Sequence, residues 1–168
     1  EESYGYMLGD YVRDKDAVTA SMLLTEMAAW YAAQGMTLFD ALNALYEKYG
    51  YYAEKTHNLV MPGLDGLRDM AELMRKLKDE PPTEIAGTEV VVRKDYNDGT
   101  VHDCRTGAVT KMELSGSNVL RFELSDGTTI LARPSGTEPK IKVYILARGT
   151  DAADAAANVE KYGAWAEA

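Results

Sequence analysis

Cysteine is almost absent from this sequence, since Cys104 is the single one in 168 residues. A lone cysteine excludes an intramolecular disulfide framework, and such usage is typical of proteins kept in a reducing compartment. We therefore expect a cytoplasmic protein. Long apolar runs are absent too, because no stretch reaches the roughly 18 apolar residues that a membrane-spanning helix needs. The sequence accordingly predicts no membrane contact.

Basic charge is also scarce. The chain has 18 Lys and Arg residues against 27 Asp and Glu residues, which gives a net charge of −9 at pH 7. A surface that binds nucleic acid needs a basic stripe, so we expect no nucleic-acid partner. Any anion has to be bound by a local cluster of donors that acts against the overall negative field.

The composition that remains is that of a globular protein. Hydrophobic residues make up 46% of the chain and charged residues 27%, which indicates a packed core and not a disordered tail. The length suffices for one domain with an appendage. The chain opens on Glu1 and not on Met, and its first residues read as the middle of a motif. We therefore expect a piece of a longer protein.

The first third of the chain predicts a helical hairpin. Between Ala17 and Ala33 apolar residues recur at helical spacing, and we interpret this stripe as core; its members are Met22, Leu23, Met27, Trp30 and Tyr31. Thr37 followed by Asp40 resembles a capping box at the start of a second helix. Gly50 suits the left-handed position that follows a helix end. The apolar faces of such a hairpin need a packing partner.

The rest of the chain predicts an α+β fold with an antiparallel sheet. Alternation and turn residues predict a strand at 51–61, a helix capped by Asp65 and ended by Pro81-Pro82, and a strand at 88–93. An exposed loop at 95–107 and a strand at 119–124 follow. After a hairpin turn at Asp126-Gly127, strands lie on both sides of 133–140, and the final helix is capped by Thr150 or Asp151. The residues expected to face the core are Leu120, Phe122, Leu124, Ile141, Val143 and Ile145.

Potential metal ligands occur in the expected loop at 95–107. Asp95, Asp98, His102 and Asp103 lie close together in the sequence. Their spacing matches neither a calcium loop nor a zinc set, so we predict no metal site there. His57 is a lone histidine without metal-ligand spacing, and we expect it in an amphipathic strand.

The most distinctive stretch of the sequence is the loop from Arg133 to Lys140, which has the parts of an anion cradle. Arg133 offers a planar fork of donors, while Ser135 and Thr137 add hydroxyls. Gly136 allows backbone N–H groups to approach and converge on a ligand. Lys140 and Lys142 lie two apart on a strand, so their side chains point to the same face. The alternative is an ordinary hairpin turn rich in Ser and Gly.

The opening stretch EESYG is a second place where binding chemistry is plausible. The carboxylate of Glu1 and the hydroxyl of Ser3, in a loop with a glycine, suit a polyol such as a sugar. A solvated terminus is the alternative reading of the same composition.

Both stretches resemble motifs of one family. RPSGTEPK, followed by a β-branched strand, resembles the phosphate-binding loop in the last domain of the α-D-phosphohexomutase superfamily, which contains the phosphoglucomutases and phosphomannomutases. The resemblance implies that the substrate phosphate is bound by a set of loop residues: Arg133, Ser135, Gly136 and Thr137, with Lys140 or Lys142. EESYG and the segment after it resemble the sugar-binding loop of the third domain. That likeness implies sugar contacts from Glu1, Ser3 and Lys15, with Arg13 as a further neighbour.

The resemblance covers nearly the whole chain and implies two domains. Residues 1–50 correspond to the end of the sugar-binding third domain, and residues 51–168 to the phosphate-binding fourth domain. The fourth domain of this family has a TATA-binding-protein-like fold, in which a curved antiparallel sheet lies under two helices.

EES resembles the glucose-type members, so the implied parent enzyme is a phosphoglucomutase that interconverts glucose 1-phosphate and glucose 6-phosphate. Family members use a phosphoserine, Mg²⁺ held by an Asp-rich loop, and glucose 1,6-bisphosphate. Neither the phosphoserine loop nor the Asp-rich loop occurs in this sequence. We therefore expect no catalytic residue in this chain, and no activity without the missing N-terminal domains of the same enzyme.

Three alternatives stay open at this point. A phosphopentomutase or a phosphomannomutase would share the loop and differ in the sugar. A non-catalytic phosphosugar-binding module would need no further domains.

Overall fold

The computed structural model describes residues 6–11 and 13–167, and the chain divides into two compact units between Tyr49 and Gly50. The helices of the described residues are α1 (Ala17–Ala32), α2 (Leu38–Tyr49), α3 (Gly66–Asp79) and α4 (Ala152–Glu167). The strands are β1 (Tyr51–Val60), β2 (Glu84–Ile85), β3 (Thr88–Asp95), β4 (Thr100–Asp103), β5 (Val109–Lys111), β6 (Leu120–Leu124), β7 (Thr129–Pro134) and β8 (Lys140–Gly149). Within these residues no helix combines the length and the apolar character needed to cross a membrane.

The first unit contains the predicted helical hairpin, and the capping box at its second helix is confirmed. Asp40 Oδ2 accepts hydrogen bonds from Thr37 N at 2.8 Å and from Thr37 Oγ1 at 2.7 Å. In return Thr37 Oγ1 accepts from Asp40 N at 3.1 Å. The hydrogen bond from the Thr37 side chain is the main cause that lowers the pKa of Asp40. Gly50 follows α2 with a φ of 104°, the left-handed conformation that the sequence predicts.

The apolar stripe of α1 differs from its prediction. Met22 is 57% exposed and Trp30 is 60% exposed, and no residue of α1 is buried. The interpretation of this stripe as core is therefore wrong in this structure. The physical reason is that two short helices alone offer too little apolar surface to cover each other.

The second unit is built on an antiparallel sheet, which confirms the predicted α+β class. The strands lie in the order β1-β8-β7-β6-β3-β4-β5, and β2 pairs with β3. β1 pairs with β8 along ten residues, from Tyr51 opposite Gly149 to Val60 opposite Lys140. The first and last strands of the unit are thus direct neighbours.

One face of the sheet forms the core of this unit. The six residues predicted to face inward are all buried: Leu120, Phe122, Leu124, Ile141, Val143 and Ile145. Both α3 and α4 contribute to the same cluster, α3 through Met74 and α4 through Val159 and Tyr162. Because residues alternate between the two faces of a strand, the side chains at 133, 140, 142 and 144 point to the opposite, open face.

The predicted exposed loop at 95–107 contains a strand. β4 pairs with β3, and the two form a hairpin. Asp95 Oδ1 accepts from the amides of Asn97 at 2.8 Å and Asp98 at 3.3 Å, and Gly99 has a φ of 63°. The Asn-Asp-Gly signal therefore marks a tight hairpin turn. The loop prediction is wrong because β4 is short and only half-buried, so alternation leaves a weak signal.

Helix α4 lies very close to β1. His57 on β1 is 8% exposed, and its Nδ1 lies 2.8 Å from Glu167 Oε1. A Cβ placed on Gly163 of α4 would lie 2.6 Å from His57 Nε2. The absence of a side chain at Gly163 is what allows the helix to approach the strand this closely.

Tyr162 ties α4 to the rest of the unit through a buried hydroxyl. The hydroxyl donates to Asp126 Oδ2 and lies 2.9 Å from Thr88 Oγ1. Burial, with the Asp126 hydrogen bond as the next cause, raises the pKa of Tyr162 to about 12 from an ordinary value of 10.0. The neutral tyrosine is therefore the form that the folded protein favours.

This shift predicts an alkaline weakening of the fold. Because the folded-state pKa lies above the unfolded one, the contribution of Tyr162 is fully present below pH 10 and is lost as the pH rises toward 12. The stability advantage of the wild type over Tyr162→Phe, measured as the difference in the free energy of unfolding, should therefore fall by roughly 2 kcal/mol over this range. Urea unfolding at several pH values measures this difference, and a constant difference from pH 9 to pH 12 would contradict the assignment.

Candidate anion-binding site

The predicted anion loop lies between two paired strands, as the sequence indicates. β7 ends at Pro134 and β8 begins at Lys140, and the strands pair with Arg133 opposite Lys142. The amide of Ser135 donates to the carbonyl of Lys140 at 2.9 Å and closes the loop at its base. A further bond joins the loop to the residue that follows β1, because Met61 N donates to Pro139 O at 2.8 Å. The ends of the loop are therefore fixed by backbone hydrogen bonds.

Ser135 organises the loop from within. Its Oγ accepts from the amide of Thr137 at 3.4 Å and from the amide of Glu138 at 3.3 Å. This arrangement is a Ser turn, in which a side-chain hydroxyl replaces a backbone acceptor. Ser135 therefore has a structural role in the loop.

Gly136 and Thr137 form the exposed tip of the loop. A Cβ on Gly136 would meet nothing within 4 Å, and its φ lies outside the left-handed region. The conformation here does not demand glycine, so the open space beside Gly136 is the relevant property. It leaves room for a ligand to approach the backbone.

Arg133 and Lys142 form a pair of cations on the open face of the sheet. Side chains of directly opposite residues in an antiparallel pair lie on the same face, with Cβ atoms about 5 Å apart. On the other side of Lys142, β1 places Asn58 directly opposite it. The result is a row of donors across three strands, from Arg133 through Lys142 to Asn58, beside the loop. A dianion such as a phosphate suits this row, because guanidinium and ammonium groups form charge-assisted hydrogen bonds.

Sequence reasoning assigned no role to Asn58. Its strand was predicted, but the partner of that strand was not. Only the register that sets Asn58 against Lys142 brings the amide to the site. No local signal in the sequence marks it.

Lys140 is the basic residue at the start of β8. Its ammonium lies 2.6 Å from Glu138 Oε2, and its side chain is 22% exposed. The prediction that Lys140 points to the same face as Lys142 agrees with the alternation of β8. The Lys140 ammonium is therefore already paired with a carboxylate of the loop itself.

A cleft of about 550 Å³ adjoins the loop on the helix-covered side of the sheet. Its lining combines the loop residues Ser135 and Gly136 with polar residues from other elements: Arg75, Lys78, Asp95, Asn97 and Asn118. Lys78 bridges Asp98 at 2.7 Å and Asp95 at 2.9 Å. The hydrogen bond to Asp98, and then that to Asp95, raises the pKa of Lys78. This ammonium therefore already has two carboxylate partners.

The predicted sugar-binding residues belong to the first unit. Glu1 and Ser3 lie outside the described residues. Arg13 and Lys15 are exposed and immediately precede Asp16, which caps α1 by accepting from Val18 N at 2.9 Å. The sugar contacts of these four residues stay a prediction.

No magnesium site is formed by residues 6–11 and 13–167. Within them no three His, Cys, Asp or Glu side chains come together in a way that could hold a metal ion. Asp95 and Asp98, two of the candidates weighed in the sequence, pair with Lys78. These residues therefore do not fit the Mg²⁺ ion that the family resemblance implies, and we assign them no role in binding a metal.

Two family models match the chain. The model for the phosphoglucomutase/phosphomannomutase C-terminal domain matches residues 58–160, and that for the family's alpha/beta/alpha domain III matches residues 1–49. A phosphoglucomutase of Staphylococcus aureus is 35% identical over 159 residues, which covers 95% of this chain and 29% of that protein. A phosphoglucomutase of Staphylococcus haemolyticus is 37% identical over 145 residues, covering 86% of this chain and 26% of that protein.

The fold is also found in a solved structure. The exocytosis-sensitive phosphoprotein pp63/parafusin from Paramecium, described as a phosphoglucomutase and crystallised in its open form, shares the fold with a TM-score of 0.54 at 19% identity. That match covers 91% of this chain and 27% of the other. The chain spans between a quarter and a third of the length of these curated relatives. Because one family model spans more than half of the sequence, this chain belongs to the phosphoglucomutase/phosphomannomutase family.

Proposed function

We propose that this chain supplies the substrate-phosphate anchor of an enzyme that interconverts glucose 1-phosphate and glucose 6-phosphate. The observation that carries the proposal is the row of Arg133 and Lys142 beside the loop at 135–139. This row lies within the segment matched by the family's C-terminal domain. The relatives named above, both phosphoglucomutases, support glucose as the sugar.

The anchor has a physical purpose in a reaction of this kind. A hexose monophosphate has to present two different oxygens, at opposite ends of the sugar, to one reacting group. Fixing the phosphate at a constant place aligns the other end for transfer, since orientation lowers the entropic barrier of the chemical step. Arg133 and Lys142 neutralise the phosphate charge, while the loop residues Ser135, Gly136 and Thr137 donate hydrogen bonds to its oxygens.

The proposal has two further parts, which are the roles of the two domains in this chain and the components that the rest of the enzyme supplies. Residues 1–50 form the end of the sugar-reading domain, where Glu1, Ser3 and Lys15, with Arg13 nearby, contact the sugar hydroxyls. Residues 51–168 form the phosphate-binding domain. Mg²⁺, the phosphoserine and glucose 1,6-bisphosphate act in other domains of the same enzyme, which we place in the cytoplasm.

An NMR titration of the ¹⁵N-labelled chain with inorganic phosphate and with glucose 1-phosphate tests the anchor. We expect the amides of residues 133–142 to shift with both ligands, because both carry the same anion. Amides of β4 and β5, at the far edge of the sheet, serve as the internal control. If no amide of the loop shifts at millimolar ligand, the proposed role of the loop as a phosphate anchor is wrong.

Replacement of Arg133 by Ala should weaken phosphate binding by roughly 2 kcal/mol, about 30-fold, because a charge-assisted bidentate contact is lost. Arg105→Ala is the matched control. Arg105 is also an exposed arginine, but it pairs with Glu89 at 2.7 Å beyond the end of β4. Isothermal titration calorimetry with inorganic phosphate gives both affinities. Equal affinities for the two variants would remove Arg133 from the site.

The chain alone should show no interconversion of glucose 1-phosphate in the presence of Mg²⁺ and glucose 1,6-bisphosphate. The reason is that phosphoryl transfer needs a nucleophile and electrostatic stabilisation that these residues do not provide. A coupled assay for glucose 6-phosphate measures this, with a longer protein that carries this segment as the positive control. Turnover by the chain alone would overturn the proposal, and a longer protein that prefers ribose 1-phosphate or mannose 1-phosphate would change the assigned sugar.

A further inference from the structure

The loop contains a carboxylate of its own at the place where it is proposed to bind an anion. Glu138 Oε2 lies 2.6 Å from Lys140 Nζ. The backbone of Glu138 is fixed on both sides, since its amide donates to Ser135 Oγ at 3.3 Å and its carbonyl accepts from the amide of Lys140 at 2.8 Å. Glu138 is therefore held in position by the same bonds that shape the loop.

The two partners of this ion pair differ in exposure. The side chain of Lys140 is 22% exposed, whereas that of Glu138 is 60% exposed. Most of the Lys140 side chain is thus removed from solvent, whereas more than half of the Glu138 side chain is exposed. An anion that pairs with the Lys140 ammonium therefore has to displace or share its Glu138 partner.

The charges around the loop make this carboxylate important. Lys140 and Lys142 lie on one face of β8, and Arg133 is directly opposite Lys142. Among these four side chains Glu138 is the single negative one. It opposes a phosphate chiefly by occupying the Lys140 ammonium that the phosphate would use, and direct Coulomb repulsion adds a smaller part because Glu138 is exposed.

We propose that Glu138 determines the phosphate affinity of the loop by holding the Lys140 ammonium when no ligand is bound. Phosphate binding then exchanges one partner of Lys140 for another: the ammonium leaves a singly charged carboxylate and pairs with an oxygen of the dianion. A phosphate can complete this exchange because it carries more charge than the carboxylate and also contacts Arg133. This inference rests on the proposed phosphate-anchoring function.

The test compares inorganic phosphate binding by the wild-type chain and by Glu138→Gln, measured by calorimetry or amide shifts. Glutamine keeps the shape of the side chain and removes its charge. We expect roughly five-fold tighter binding, the size of effect expected from one partly exposed charge pair. Glu113→Gln is the matched control, because Glu113 is an exposed glutamate outside the loop, and its substitution should leave the affinity unchanged. The gain should shrink as the salt concentration rises.

A double-variant cycle separates the action through Lys140 from simple repulsion. In a Lys140→Met background, Glu138→Gln should produce little further gain, since there is no ammonium to release. Glu138→Asp keeps the charge and should retain an affinity near that of the wild type, which a purely structural role of the longer side chain would not predict. Amide spectra of β7 and β8 confirm that each variant is folded.

The affinities of these variants distinguish the inference from the proposed function. Tighter binding by Glu138→Gln that disappears without Lys140 supports the inference, and it does so even if the wild type binds too weakly to measure. Unchanged or weaker binding by Glu138→Gln, with a wild type that binds, overturns the inference and leaves the proposed function intact. An equal gain with and without Lys140 overturns the role of the ion pair. If neither protein binds phosphate, the proposed function fails and the inference with it.

Discussion

The loop at 135–139 has little regular structure, and its geometry depends on the antiparallel pairing of β7 with β8. That register places Arg133 opposite Lys142 and joins Ser135 to Lys140 at the base of the loop. A shift of one residue would turn Arg133 into the core and bring an apolar side chain to the open face. The buried faces of Ile141, Val143 and Ile145 prevent such a shift. The core thus fixes the positions of the cations.

The basic residues beside this loop are opposite in sign to the net charge of the molecule. The chain carries a net charge of −9, and acidic side chains neutralise several of its lysines, as in the pairs that Lys78 forms with Asp95 and Asp98. Arg133 and Lys142 lie directly opposite each other on β7 and β8, on the open face. The proposed phosphate anchor is a local site that suits a small dianion at short range, while the overall field does not favour an extended polyanion. Specificity for a single phosphate group is consistent with both features.

The sequence predicted those parts of the fold whose signal is local. Alternation located β6 and β8, and the capping box located α2, because each depends on neighbouring residues. β4 was missed because it is short and half-buried. The apolar stripe of α1 was misjudged because burial depends on what packs against a helix, which periodicity does not tell. In the site, Arg133 and the loop could be found from their motif, whereas Asn58 and the pairing of Lys140 with Glu138 depend on register and on side-chain geometry.

The pairing of β1 with β8, covered by α4, has a consequence for how the protein is made. β1 opens the second unit, yet its hydrogen-bonded partner and the helix that packs against His57 lie at the other end of that unit in the sequence. On the ribosome the apolar side of β1 therefore waits through nearly the whole unit before its partners emerge. Folding of this unit therefore depends on contacts between residues far apart in sequence, which makes it slow. Until then the nascent chain exposes an unpaired strand edge, the kind of surface that chaperones protect.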